Sequence, residues 1–115
     1  MLGWHIRIVR NTPKPELLAE WETSLGGTDW IDALVKEGRA VFVAGNQGYP
    51  VVYTAAARAT VPALAEGPPS YSGPAVFGDA YMKPSGWTGA VNVDTARLAA
   101  CDPGEELTIE TWHLS

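Results

Sequence analysis

Tyr71, Phe77, Asp79, Tyr81, Lys83 and Trp87 bring aromatic and ionisable side chains together in a stretch where glycine and proline punctuate the backbone. A short strand at 75–81 would put Asp79, Tyr81 and Lys83 on one face, since strand side chains alternate. Lysine beside a phenol lowers the phenol's pKa, and a nearby carboxylate supplies a second proton-transfer group, so these three are candidates for acid–base catalysis, with His5 as a fourth. Three polar residues on an ordinary solvated strand have the same pattern. Aromatic side chains with a few polar ones also make ligand pockets and interface hot spots, which assigns Tyr71, Phe77, Asp79, Tyr81, Lys83 and Trp87 to partner or ligand binding. Phe77, Tyr81 and Trp87 can equally close the open side of a core. Trp87, in the loop Gly86-Trp87-Thr88-Gly89, is the best single ligand contact.

The remaining reactive residues are sparser. His5 and His113 have no second His or Cys at ligand spacing, so no metal site is expected, and no cofactor motif occurs. If the strands at the two ends of the sequence pair, both histidines reach the same end of a sheet, where Glu110 can orient one of them as a base. Cys101 ends an expected helix, where the dipole raises a thiol pKa and disfavours a nucleophile. Asp102, Glu105, Glu106 and Glu110 lack the Asp/Asn/Gly alternation of a calcium loop, and Glu105 and Glu106 are expected to face solvent. Gly45-Asn46-Gln47-Gly48 resembles a phosphate-cradling loop in composition only. A strand rather than a helix is expected to follow it, which makes it a hairpin turn.

The elements that must position these residues are short. Gly3 to Val9 alternates, with Trp4, Ile6 and Ile8 on one face and His5, Arg7 and Val9 on the other, which predicts a half-buried strand. Thr12-Pro13 followed by Leu17, Leu18, Trp21 and Leu25 predicts a helix ended by Gly26-Gly27. A second helix is expected from Thr28, as cap, to Gly38, with Trp30, Ile31, Leu34 and Val35 as its apolar stripe. Arg39 to Ala44 and Tyr49 to Thr54 form a hairpin, and Thr60 with Pro62 suggests a short helix from Val61 to Glu66. Ala90 to Val93 is a brief strand. Asp94 caps a helix running to Cys101, and Glu105 to His113 alternates as a final strand. The first strand is basic on its outer face and the last is acidic. Antiparallel pairing of Arg7 with Glu110 then places Ile8 beside Ile109 and His5 beside Trp112.

A chain of 115 residues with 46% hydrophobic and 18% charged content suits one domain, residues 1–115, around one core. The expected class is α+β: a single mixed, mainly antiparallel sheet with three or four short helices packed on it. A net charge of −5 with scattered basic residues disfavours nucleic acid and favours a cationic partner protein or small molecule. No apolar run reaches the ~20 residues of a membrane span. A single cysteine and an opening Met1-Leu2-Gly3-Trp4-His5 without the build of a secretory signal suggest a reducing cytoplasm. Absent catalytic motifs, acidity and an aromatic loop together point to a binding module that neutralises a protein partner or sequesters a small molecule, as immunity-type or self-resistance proteins do. The alternative is a small enzyme using the Asp79/Tyr81/Lys83 face, and a homodimer through an edge strand or the Pro-rich loop is a third arrangement.

Overall fold

Alternation at the start of the chain builds the centre of the sheet. In the computed structural model, which describes residues 3–10, 15–23, 25–45, 50–64 and 88–114, strand β1 (Gly3–Arg10) buries Ile6 and Ile8 and leaves His5 and Arg7 half-exposed on the opposite face. It pairs antiparallel with β6 (Glu106–Leu114) in the register expected from charge: Arg7 faces Glu110, Ile8 faces Ile109 and His5 faces Trp112.

The expected helix over Thr12 to Leu25 is overturned. Glu16–Thr23 is instead strand β2, antiparallel to β1. Leu17, Leu18 and Trp21 mimic helical spacing because a bulge opposite Ile8 and Val9 skips Leu18 in the pairing, and Leu18 is buried with Ala19 and Trp21. Beyond the bulge the strand alternates strictly, with Ala19, Trp21 and Thr23 buried and Glu20 and Glu22 half-exposed. Pairing on both edges outweighs the local helix preference of Leu, Ala and Glu. Gly27, in a 3₁₀ turn at Leu25–Thr28, serves close packing: a Cβ there would collide with the Thr23 side chain.

Helix α1 (Asp29–Lys36) follows as expected, burying Ile31 and Leu34, with Asp29 and Asp32 in its first turn and Lys36 in its last. Thr28 makes no side-chain cap bond, and Gly38 leaves the helix at φ 73°. The hairpin strands are β3 (Ala40–Ala44) and β4 (Val51–Ala56), with a bulge that leaves Val43 without a partner on β4. Of their expected turn, Gly45-Asn46-Gln47-Gly48, residues 46–48 lie outside the described residues. The short helix comes earlier than expected, as α2 (Ala57–Thr60), whose Ala57 and Arg58 amides donate to the Glu105 and Pro103 carbonyls. Thr60 bonds back to the Ala56 carbonyl instead of capping a later helix, and Pro62, which has no amide hydrogen, starts a 3₁₀ turn at Pro62–Leu64. Strand β5 (Thr88–Val93) leads to helix α3 (Thr95–Ala99), capped by Asp94 accepting from the Arg97 amide at 2.9 Å.

The six described strands form one open sheet in the order β3-β4-β6-β1-β2-β5, and every described pairing is antiparallel, so among the described residues the sheet is not mixed. With three short α-helices among the described residues it is consistent with the α+β class. One core cluster joins Ile6, Ile8, Trp21, Leu107 and Ile109 of the sheet to Ile31 and Leu34 of α1, Ala57 and Ala59 of α2, and Leu98 of α3. No helix among the described residues is long and apolar enough to cross a membrane.

Candidate functional site

The face of the sheet opposite Ile6 and Ile8 carries a band of ionisable side chains set by strand alternation. One row across the strands reads Val52, Glu110, Arg7, Glu20 and Asn92, and the next reads Trp112, His5, Glu22 and Gly89. Neighbouring strands lie ~4.8 Å apart, so side chains within a row are in reach of each other. Arg7 stands between two carboxylates, with Nη1 3.2 Å from Glu110 Oε1 and Nε 3.8 Å from Glu20 Oε2. Glu110 Oε1 also accepts a 3.1 Å hydrogen bond from the Trp112 indole Nε1, two residues along the same strand face. His5 Nδ1 lies 4.0 Å from Glu22 Oε2.

The acid nearest His5 is therefore Glu22, on β2, rather than the expected Glu110, which is engaged by Arg7 and Trp112. The two histidines do share one end of the sheet, but on opposite faces. His113 sits across from Trp4, its ring meeting the indole edge-on at 5.1 Å between centroids. They cannot act on one substrate atom together. Half-exposed ion pairs such as Arg7–Glu110 contribute only ~0–1 kcal/mol each to stability. The band is therefore not a major fastening of the fold.

Tyr71, Phe77, Asp79, Tyr81, Lys83 and Trp87 lie outside the described residues. Glu20, Glu22 and Trp112 are the band residues that the sequence did not single out. The signal for the first two was available in Glu20-Trp21-Glu22, whose period matches the His5-Ile6-Arg7 alternation once β2 is read as a strand.

Two further groups settle earlier expectations. Glu105 is not solvent-facing: Arg10 grips it through two parallel hydrogen bonds, Nε to Oε2 at 2.9 Å and Nη2 to Oε1 at 2.8 Å, while Glu106 is exposed. Cys101 donates to the Arg97 carbonyl at 3.4 Å. Its thiol pKa is raised, chiefly by burial and further by Glu105, Asp102 and Glu16, against the opposing pull of Arg10. Such a thiol is a poor nucleophile near neutrality. Among the described residues no three His, Cys, Asp or Glu side chains converge as a metal site. No family model matches the chain, and no curated protein or solved structure shows significant similarity to it.

Proposed function

We propose that the protein is a non-catalytic binding module that neutralises a protein partner through the outer face of its sheet. The observation that carries this reading is Trp112, 42% exposed, its indole held by Glu110 beside Arg7 on a strand paired along both edges. Tryptophan and arginine dominate binding energies at interfaces, and side chains already held in place lose little entropy when a partner arrives. The band sets Glu20, Glu22 and Glu110 against one arginine, with His5 adding charge only when protonated. That surplus, on a chain of net charge −5, favours a cationic partner. Side chains spread over several strands suit a protein surface, whereas small molecules take concave sites. A cytoplasmic location goes with the single cysteine and belongs to the same proposal.

Titration of the isotope-labelled protein with a deca-lysine peptide tests it by nuclear magnetic resonance. Shifts centred on His5, Glu20, Glu22 and the Trp112 indole, weakening with salt, are expected. Trp112→Ala is expected to weaken binding about tenfold or more and to leave the melting temperature almost unchanged. Shifts confined to other surfaces would overturn the reading. One observation favours a catalytic alternative, the approach of Glu22 to His5 Nδ1, since a carboxylate there orients an imidazole as a base. That alternative requires a turnover lost in His5→Gln.

A further inference from the structure

We propose that the protein forms a two-fold dimer in which β3 pairs antiparallel with β3 of a second copy. Among the described strands, β3 and β5 are the edges of the sheet. Edge strands expose unpaired backbone groups, and proteins commonly protect them with charge, proline or a bulge. Residues 40–45 contain no charged residue and no proline, so of these protections β3 has only its bulge at Val43, and their neighbour across the ladder, Val51–Ala56, contains no charge or proline either. Val41, Phe42 and Val43 are 61%, 54% and 54% exposed, the highest values among the large hydrophobic side chains described.

The order of residues identifies the occupant. Ala40-Val41-Phe42-Val43-Ala44 reads the same in both directions. An antiparallel pair centred on Phe42 therefore matches Ala40 with Ala44, Val41 with Val43, and Phe42 with itself, twice over, as the isologous interface of a two-fold dimer requires. Like-with-like pairing of β-branched and aromatic side chains is favourable in antiparallel ladders. Val43, which has no register partner on β4, gains one in the second copy. Charge agrees: each copy carries −5, so copies repel except where charge is absent, and Glu37 and Arg39 beside β3 compensate each other at 3.3 Å. The apolar surface offered amounts to a few hundred Å² per copy, against ~800 Å² per partner in a standard stable interface. The dimer is accordingly weak and concentration-dependent.

Sedimentation equilibrium of the full chain from about 10 μM to about 1 mM reads this directly. The wild-type mass is expected to rise from 12.3 kDa towards twice that value. Val41→Lys with Val43→Lys brings two lysine pairs face to face and is expected to weaken association at least tenfold, although it lowers the net charge from −5 to −3 and so reduces general repulsion. Val41→Lys with Val43→Glu sets Lys opposite Glu in both pairs and is expected to restore the dimer. A wild-type chain that stays monomeric throughout overturns the proposal, as does a dimer indifferent to the two lysines or one that the Lys/Glu variant fails to restore. Backbone amide shifts of Val41, Phe42 and Val43 in the wild type must also move with concentration. This check needs no variant to fold, and static shifts there count against the interface even if the mass doubles.

Discussion

Tyr53 and Cys101 are both titratable groups that the fold holds back from ionising. Burial raises the Tyr53 phenol above its ordinary value of 10.0, with Asp32 adding to the shift, and burial raises the Cys101 thiol above 9.0. In the folded protein each keeps its proton to higher pH than in the unfolded chain. The stability this represents is intact below the unfolded values and is lost as pH rises through the folded ones. Thermal unfolding is therefore expected to show a falling melting temperature above pH 9, steepening above pH 10. Tyr53→Phe should flatten the steeper part, and an unchanged slope in that variant would remove Tyr53 from the account. At this scale the sequence was readable where one residue's type decided the outcome. The raised Cys101 thiol was expected from its helix terminus, and the direction holds, though burial is the first cause. The partner of His5 was not readable, because Glu22 comes near it only once β2 is a strand.

Strand β5 illustrates what an element tolerates in order to fit its neighbour. Its pairing passes from Glu22–Gly89 to Glu20–Asn92, so Ala90 and Val91 both stand against Trp21. Ala90 takes up the irregularity at φ 50°, in left-handed backbone that costs a residue with a Cβ about 1 kcal/mol or more. Ala90→Gly is expected to stabilise the protein by about 0.5–1 kcal/mol, measured as a higher urea midpoint with an unchanged slope. A bulge also accounts for the one strand that sequence patterning missed. β1, α1, α3 with its Asp94 cap, and β6 follow one regular period each and were legible, and β3, β4 and β5 were recovered as strands although β3 and β5 pair irregularly. β2 was not. The skipped Leu18 turns a two-residue repeat into the Leu17, Leu18, Trp21 spacing of a helix, and the pairing that decides the matter comes from residues far along the chain.

Across the whole molecule, protection should follow position in the sheet. β1 is hydrogen-bonded on both sides and supplies Ile6 and Ile8 to the core, so its amides are expected to exchange with solvent only on global unfolding, within about 1 kcal/mol of the full stability. Amides of β3 should exchange at much lower free energy, and equal protection of the two strands would contradict this ordering. The register of β1 with β6 was legible at this scale because opposite charges and matched isoleucines lie at complementary spacing at the two ends of the sequence. The strand order as a whole was not, since nothing local states that β6 sits between β4 and β1. That placement bears on how the protein is made. The β3–β4 ribbon and the β1–β2–β5 ribbon touch through β6 alone in the described sheet. Val93, which completes the second ribbon, precedes Leu114, which completes β6, by 21 residues (114 minus 93), so at cellular rates of synthesis the two ribbons wait roughly 1–4 s before the strand that joins them exists. During that interval the nascent chain carries two separate pieces of sheet whose inner edges are open, and it depends on dilution or a chaperone until β6 emerges to close the gap.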